Sequence, residues 1–393
     1  MKTATENGTL TIFPEGRIDT NNAAKTEQEI FHAVGDSTAD IVIDAKDLEY
    51  ISSAGLRVLM KLRKKVGRPL PVINVSRDVY EIFETTGFTE LLEIKKALRE
   101  VSTEGCEVIG KGGYGTVYRL DKETILKVYN KNSRDFIDSE RLMSQRAFVN
   151  GLPTAIPYDV VRSGDSLGVV YELIDASTIA QLINASPDRL EEYVRKYAAA
   201  LREFHSITLD DELFHDKKQS FFETAEVLAP CMTAEEKADI YSFIESIPDR
   251  RTFIHGDYNL KNVMVKDDEV ILIDIGDAGV GHPILDVGGV WLACKYLPHT
   301  GLTTEQIRGL LGIDPDLSDK VWDIFLREYF STDAPDELAK YERMIAPAAL
   351  MLVACHSLRR YAEVTEDMIK QRVENIVRRV LIPAIHNSVK INF

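Results

Sequence analysis

Cysteine is scarce in this chain, and its spacing excludes several classes of protein. Four cysteines occur among 393 residues, far apart and without a CxxC pair. This spacing argues against a disulfide framework or a zinc site and favours reduced thiols. No apolar run approaches the roughly 20 residues of a membrane helix, and the first residues lack the apolar core of a signal peptide. We therefore expect a cytoplasmic protein that does not associate with membranes.

Basic residues are also in short supply. Lys and Arg number 47 against 63 Asp and Glu, which gives a formal net charge of −16. Binding to a phosphate backbone needs clustered positive charge, so this balance argues against nucleic acid as a partner. The sequence contains neither an internal repeat nor a low-complexity tract, and its length allows two or three domains.

Strand and helix patterns alternate along the first hundred residues. Strands are predicted at 9–13, 41–43, 70–75 and 91–94, and helices at 22–34, 53–66 and 79–85. This alternation is typical of an α/β layer with helices packed on a sheet. The charged stretch 95–104 then marks a boundary. We place the first domain at residues 1–102.

The remaining chain has a different pattern. Residues 103–175 are rich in predicted strands around a glycine-rich turn, with a helix at about 134–149. Residues 176–393 show mainly helical periodicity. The sequence therefore predicts a second domain at 103–393, built as a strand-rich lobe followed by a helical lobe.

The glycine-rich turn lies between two predicted strands of that lobe. Gly110, Gly112, Gly115 and Val117 form a G-x-G-x-x-G-x-V pattern. Glycines allow the backbone to approach phosphate oxygens closely and to present N–H groups to them. A dinucleotide-binding fingerprint has similar glycines but needs a helix directly after them. The β-branched and aromatic residues 116–118 indicate a strand instead, so we favour a nucleotide phosphate loop of the kinase type.

Two charged residues follow that loop. Lys127 stands among apolar residues on the next predicted strand, one hairpin after the glycines. This position suits a lysine that binds the α- and β-phosphates of ATP. Glu140, on the following helix, is the carboxylate expected to orient it, although Asp138 and Arg141 show how charged that helix is.

Two acidic motifs complete the constellation. In His255-Gly256-Asp257-Tyr258-Asn259-Leu260-Lys261-Asn262, an Asp precedes an Asn by five residues between apolar runs. Asp257 is the candidate base for the hydroxyl of a substrate, and Asn262 a candidate Mg²⁺ ligand. Asp274, at the end of an apolar strand, is the second candidate ligand. Magnesium suits a site with few hard oxygen ligands, because phosphates and water supply the others.

These four motifs, in this order, resemble the aminoglycoside phosphotransferase/choline kinase-like family over residues 105–393. Three features favour that branch of the protein-kinase-like fold over protein kinases. Gly256 replaces the Arg of His-Arg-Asp, residues 274–286 leave no space for an activation segment, and residues 201–205 match the Leu-x-x-x-His helix end of the family. The resemblance implies ATP and Mg²⁺ as cofactors.

The resemblance also assigns roles to residues outside the four motifs. It places a hinge at residues 172–174, where the backbone beside Glu172 reads the adenine. His205 is expected to be a packed structural histidine, and Asp286 a helix cap or a brace of the catalytic loop. The family often has Asp where this chain has His282.

Residues 7–98 resemble the STAS domain of anti-sigma-factor antagonists in four short stretches around residues 16–19, 41–44, 50–59 and 81–88. In that family an Asp-Ser-Ser-Gly-Leu stretch carries a phosphorylated serine directly after the Asp. Aligned on Gly55-Leu56, Ser53 takes the acceptor position and Ser52 replaces the Asp. Either Ser53 is a phosphoacceptor that controls a protein partner, or one of the two serines only caps the helix.

The sequence therefore predicts an α/β STAS-like domain followed by an α+β bilobal protein-kinase-like phosphotransferase domain. The first hypothesis is a kinase of a small hydroxyl- or amine-bearing molecule, regulated or docked through the STAS-like domain. The second is a protein kinase acting on a STAS-type serine, and the third a nucleotide-binding pseudokinase. The acidic run Asp210, Asp211 and Glu212 either meets a cationic substrate or is a solvated loop.

Overall fold

The computed structural model describes residues 1–6, 8–35, 39–112, 115–130, 133–359 and 364–393. Their contacts divide them into two compact units, one of residues 1–102 and 161–165, the other of residues 103–160 and 166–393. Within the described residues, none of the helices combines the length and the apolar character that a membrane span requires. The four cysteines, all among the described residues, form no disulfide with one another.

The first unit combines a five-stranded sheet with further short strands, and helices pack against the sheet. Its strands are β1 (Lys2–Glu6), β2 (Thr9–Phe13), β3 (Gly16–Ile18), β4 (Asp40–Asp44), β5 (Leu48–Ile51), β6 (Pro71–Val75), β7 (Glu93–Lys96) and β8 (Arg99–Glu100). Its helices are α1 (Ala23–Val34), α2 (Ser53–Val66) and α3 (Arg77–Thr85). The sheet order is β1-β2-β4-β6-β7, and β3 pairs separately with β5. Among the described strands of this unit, β1 and β2 pair antiparallel, and the pairs β2–β4, β4–β6, β6–β7 and β3–β5 run parallel.

Helix α2 shows how the sequence builds this unit. The side chain of Ser52 accepts a hydrogen bond from the Gly55 N–H and caps the helix start. Gly67 ends the helix in the left-handed conformation, with φ of 68°, which glycine adopts without the steric cost of a Cβ. Leu56, Leu59 and other apolar residues of one face are buried in the core, and this burial stabilises the helix more than local propensity does.

The second unit begins with an antiparallel sheet that holds one helix. Its elements are β9 (Glu107–Lys111), β10 (Gly115–Arg119), β11 (Thr124–Tyr129), α4 (Arg134–Val149), β12 (Pro157–Ser163) and β13 (Ser166–Glu172). The strand order is β12-β13-β11-β10-β9. Lys127 lies opposite Val117 in the β10–β11 register, so the central strand carries the lysine beneath the glycine-rich turn.

The rest of the second unit is mainly helical. Its helices are α5 (Ile179–Ala185), α6 (Leu190–Phe204), α7 (Gln219–Leu228), α8 (Ala234–Ser246), α9 (Ile284–Trp291), α10 (Thr304–Leu311), α11 (Ser318–Phe330), α12 (Pro335–Arg359), α13 (Glu366–Arg372) and α14 (Ile382–His386). Short strands β14 (Ser177–Thr178), β15 (Thr252–Ile254), β16 (Val263–Lys266), β17 (Glu269–Leu272) and β18 (Gly279–Gly281) carry the loops of interest. The hairpin β16–β17 separates the two acidic motifs, and β15 pairs antiparallel with β18.

Candidate active site

Lys127 is the centre of an ion-pair cluster. Its Nζ lies 2.7 Å from Glu140 Oε1 on α4, and it also pairs with the Asp274 carboxylate that follows β17. The Lys127 and Glu140 side chains are only 12% and 10% exposed. Burial alone would lower the pKa of Lys127, but the Asp274 and Glu140 carboxylates raise it above its usual value. The ammonium group therefore stays charged and has a fixed direction.

Tyr129 joins this cluster and was missed by the sequence analysis. It is buried on β11 two residues after Lys127, on the same face of the strand. Its hydroxyl donates to Glu140 Oε1 over 2.8 Å, so this oxygen receives both the ammonium and the phenol. The only signal in the sequence was the alternation of residues along the strand.

Asp257 and Asn262 meet in the loop between β15 and β16. The Asn262 amide nitrogen donates to the Asp257 carbonyl oxygen and to Asp257 Oδ2, both over 3.0 Å. Among the described residues, no protein group donates to the amide oxygen of Asn262. The Ile273 N–H donates to the Asn262 carbonyl oxygen over 3.0 Å, which brings Asp274 next to this loop.

The protonation of Asp257 reflects its position. Restricted hydration raises the pKa of its carboxyl group, and nearby Asp274 and Asp277 raise it further, whereas His255 and a hydrogen bond from Asn259 lower it. The net result is a pKa above the ordinary value of 3.8. A carboxylate that binds a proton more readily than a free Asp suits a general base.

Asp286 holds the backbone of the catalytic loop. Its carboxylate is buried near the start of α9 and accepts from the His255 N–H over 2.7 Å and the Gly256 N–H over 2.8 Å. Burial alone would raise the pKa of Asp286, but the hydrogen bond with His205 and the neighbouring His255 lower it. His205 is packed between Asp286 and Tyr329, at 3.3 and 2.6 Å. The loop next to Asp257 is therefore fixed from behind.

Two glycines are required by close approach of other groups. Gly256 has φ of 82°, and a Cβ there would lie 2.3 Å from the Asp277 carbonyl oxygen. An arginine at this position, as in a protein kinase, has no room. A Cβ on Gly276 would lie 2.7 Å from Glu140 Cγ, so this glycine lets Glu140 reach Lys127.

The glycine-rich turn is partly described. Gly113 and Tyr114 lie outside the described residues. A Cβ on Gly115 would lie 2.1 Å from the Val128 carbonyl oxygen, so the β10–β11 packing requires this glycine. A Cβ on Gly112 would meet nothing within 4 Å, and one on Gly110 would make ordinary contact with Val117. Packing by the described neighbours therefore requires glycine at 115 but not at 110 or 112.

The other candidate residues make different contacts. The Glu172 carboxylate accepts from the Ile156 N–H over 3.4 Å, which turns its side chain toward the start of β12. Asp210 and Glu212 are exposed, as a solvated loop requires, whereas the Asp211 carboxylate pairs with Arg146 of α4 at 2.9 Å. Ser53 belongs to the first unit.

The two serines of the first unit have different roles. Ser52 is the N-cap of α2, whereas Ser53 is its first residue and is exposed, and its side chain takes no part in the cap. The capping interpretation therefore applies to Ser52.

The oxygen ligands offered by the site suit Mg²⁺. The described residues contain no cluster of three His, Cys, Asp or Glu side chains that would bind a metal by itself. Asp274 offers a carboxylate and Asn262 an amide oxygen, and the Ile273–Asn262 backbone hydrogen bond makes the two residues neighbours. Magnesium commonly binds through one or two such protein oxygens and completes its shell with phosphates and water, so the donor set fits.

The arrangement of these residues agrees with the protein families whose models match the chain. The family model of the phosphotransferase enzyme family (APH) matches residues 105–314, and that of the STAS domain matches residues 1–101. The chain therefore belongs to the phosphotransferase enzyme family and carries an N-terminal STAS domain. This confirms the predicted fold class, an α/β STAS domain followed by a bilobal kinase-like phosphotransferase domain.

Three individual proteins illustrate the similarity. The putative anti-sigma factor antagonist BtrV of Bordetella bronchiseptica is 31% identical over 90 residues, which cover 22% of this chain and 78% of BtrV. A leaf rust 10 disease-resistance locus receptor-like protein kinase of Arabidopsis thaliana is 27% identical over 117 residues, 28% of this chain but 18% of that protein. The solved structure of ADP-bound aminoglycoside phosphotransferase APH(2'')-Ib is 18% identical, with a TM-score of 0.47, covering 71% of this chain and 94% of that one.

Proposed function

We propose that this chain is an ATP- and Mg²⁺-dependent phosphotransferase whose acceptor is an alcohol group of a small hydroxyl- or amine-bearing molecule. The observation that carries this proposal is the joining of two groups of residues. Lys127, Glu140 and Asp274 form one ion-pair cluster, and the Asn262–Asp257 pair lies beside Asp274 through the Ile273–Asn262 hydrogen bond.

The residues divide the reaction between them. Lys127, oriented by Glu140, binds the α- and β-phosphates of ATP, and the turn that contains Gly110 and Gly112 covers them. Asp257 accepts the proton of the acceptor hydroxyl. The acceptor oxygen forms a bond to the γ-phosphorus while the bond from that phosphorus to the β–γ bridging oxygen breaks, and ADP leaves with the electron pair.

Asp274 and the amide oxygen of Asn262 would hold Mg²⁺, which when bound neutralises charge on the β- and γ-phosphate oxygens. The ion pair with Lys127 engages Oδ1 of Asp274, and the carboxylate has a second oxygen that would serve the metal. The side chain is 47% exposed, so a ligand can reach it.

A small acceptor is favoured over a protein acceptor. Only Ala278 separates the turn Ile275–Asp277 from β18, so the activation segment that receives a peptide in protein kinases has no place there. The crowding at Gly256 excludes the arginine that such a segment pairs with. The intact cluster of Lys127, Asp257, Asn262 and Asp274 argues against a pseudokinase.

The proposal is tested by assaying ADP release from the full chain with a panel of sugars, amino alcohols and aminoglycosides. We expect at least one hydroxyl-bearing compound to stimulate ADP release and to gain one phosphate by mass spectrometry. EDTA should abolish the signal and Mg²⁺ restore it. Calorimetry should show ATP binding that strengthens with Mg²⁺. Tight nucleotide binding without turnover of any compound would instead support a nucleotide-binding module.

We propose the following domain boundaries for the chain. The STAS domain takes residues 1–102 and the phosphotransferase domain residues 103–393, with the strand-rich lobe ending at residue 175 and the helical lobe starting at 176. The STAS domain regulates the enzyme or docks it to a protein partner in the cytoplasm. Nucleic acid and membrane are not among the partners proposed.

A second candidate function rests on Ser53. Its exposed position at the first turn of α2 leaves the hydroxyl accessible while Ser52 caps the helix, and a phosphate there would meet a favourable helix dipole. A kinase domain fused to such a serine could modify it in the same chain or in another. The absence of an activation segment makes this the less favoured function.

Incubation with ATP and Mg²⁺, followed by mass spectrometry, separates these functions. We expect no stoichiometric phosphorylation of Ser53, because the kinase domain is built for small acceptors. Near-complete labelling of Ser53 within minutes would promote the protein-kinase function to first place. In that case Ser53→Ala should remain unlabelled, the matched variant Ser52→Ala should retain labelling, and mixing inactive Asp257→Asn protein with active enzyme would reveal transfer between chains.

A further inference from the structure

His282 departs from the sequence pattern of the family, and its surroundings explain the departure. It follows β18 directly, is 1% exposed, and uses both ring nitrogens. Nδ1 lies 3.1 Å from the Ile284 N–H at the start of α9, and Nε2 lies 2.9 Å from the Phe393 carbonyl oxygen. An N–H can only donate, so Nδ1 is the acceptor, and the neutral ring carries its proton on Nε2.

The ring is held in this neutral form. Burial and the Arg250 guanidinium lower the pKa of His282 to about 4, against a smaller opposing effect of the Phe393 carbonyl group. At neutral pH the imidazole is therefore an acceptor for the helix start and a donor for Phe393. An aspartate could replace the first contact but not the second, because a carboxylate has no proton to donate.

Phe393 is itself anchored in the helical lobe. Its ring lies edge-on to Phe330 of α11 and Tyr341 of α12, with centroid distances of 4.8 and 6.0 Å. Phe330 and Tyr341 stack on each other at 3.7 Å. Ile391, two residues earlier, is buried in the same core. The segment 387–393 is thus fixed at the point where it meets His282.

The contacts of His282 lead to the catalytic loop by two short routes. Through Ile284 it reaches the first turn of α9, where Asp286 accepts the His255 and Gly256 N–H groups. Through β18 it reaches β15, since Gly281 pairs with Thr252 in the antiparallel register. Both routes end at the backbone that presents Asp257.

We propose that His282 is a positioning residue that ties segment 387–393 to the start of α9, and that this tie holds Asp286 and the catalytic loop in register for phosphoryl transfer. The positioning role rests on the proposed function, whereas the structural tie does not. A small displacement of a catalytic group is enough to reduce turnover, because the reacting atoms must be aligned.

Three neutral substitutions separate the two contacts of the ring. His282→Asn keeps an oxygen near the position of Nδ1 but has no atom at the position of Nε2. His282→Gln places an amide nitrogen near Nε2 but offers no acceptor to the Ile284 N–H. Phe393→Ala removes the ring that anchors the carbonyl oxygen and that also contacts the imidazole edge-on at 5.2 Å, and it keeps the His282 side chain. Each variant is compared with wild type in the full chain.

The first readout is amide hydrogen exchange of peptides covering residues 252–262, which needs no substrate. We expect His282→Asn, His282→Gln and Phe393→Ala each to speed exchange there by about fivefold or more, because each removes one contact of the tie, and His282→Asn/Phe393→Ala to match the single variants, because one tie can be broken only once. Wild-type exchange in any of the single variants, or additive loosening in the double variant, would overturn the proposal.

The second readout is kinetic. His282→Asn and Phe393→Ala should lower kcat by about tenfold while ATP affinity from calorimetry stays within about twofold, because Asp257 is displaced and Lys127 is not. Unchanged kcat in both variants despite faster exchange would refute the positioning role. If wild-type protein shows no turnover at all, the proposed function fails, while the exchange experiment still decides whether the tie exists.

Discussion

Asp257→Asn should leave ATP affinity near that of the wild type and lower turnover by about 10²–10⁴-fold, the loss typical of removing a positioned general base. The Asn262 amide contacts both the backbone and the carboxylate of Asp257, so the replacement alters the proton acceptor more than the shape of the loop. Calorimetry with ATP and Mg²⁺ measures affinity, and ADP release with the acceptor measures turnover.

Lys127→Ala should differ from Asp257→Asn in its effect on ATP affinity. It removes the group assigned to the phosphates and should weaken nucleotide binding directly. Equal loss of ATP affinity in Asp257→Asn and Lys127→Ala would contradict the division of roles.

The role of Asp257 as a base also predicts the direction in which kcat changes with pH. Restricted hydration and the nearby carboxylates of Asp274 and Asp277 raise the pKa of Asp257 above 3.8. Since the ionised form accepts the proton, kcat should rise with pH through that raised pKa and fall when the pH drops below it. The limb should lie above pH 3.8 and disappear in the residual activity of Asp257→Asn.

Replacing Asp274 should have the largest effect. Asp274→Asn is expected to lower turnover by about 10³-fold or more, since a metal clamp on developing phosphate charge contributes several kcal/mol and each 1.36 kcal/mol is tenfold in rate. Asparagine is a better choice than alanine for the quantitative comparison. The backbone at 274 has φ of 57°, a conformation that Asn tolerates and Ala disfavours.

Alanine at this position should also abolish turnover, with an added cost in stability. Thermal unfolding of the two variants separates that cost from the loss of the metal ligand. Titration of Mg²⁺ in the turnover assay is the direct measurement, and we expect Asp274→Asn to need far more Mg²⁺ than wild type. Wild-type turnover in either variant would show that the metal ligand lies elsewhere.

Elements with strong local signals were predictable from the sequence. Helices α2 and α4 begin after serine caps, Ser52 and Ser133, and run over the residues expected from apolar periodicity. Strand β1 was not predicted, because its sequence Lys-Thr-Ala-Thr-Glu is exposed throughout and shows no apolar alternation. An exposed edge strand is specified by its pairing with β2 rather than by its own composition.

Some residues of the candidate site could be predicted from the sequence, and some of its contacts could not. Lys127, Asp257, Asn262 and Asp274 lie in motifs whose spacing carries information, so they could be proposed from the sequence. The contact between Gly276 and Glu140 joins segments far apart in the chain, and its origin is steric. No local pattern encodes such a contact, and the same applies to the meeting of His282 with Phe393.

The close approach of the Asp277 carbonyl oxygen to Gly256 also constrains how this site can evolve. A single substitution cannot convert His-Gly-Asp into the His-Arg-Asp of protein kinases, because any Cβ at residue 256 would collide with that oxygen at 2.3 Å. The backbone at 277 would have to move first, and with it the turn that carries Asp274. An arginine at residue 256 therefore requires an accompanying shift of the turn Ile275–Asp277.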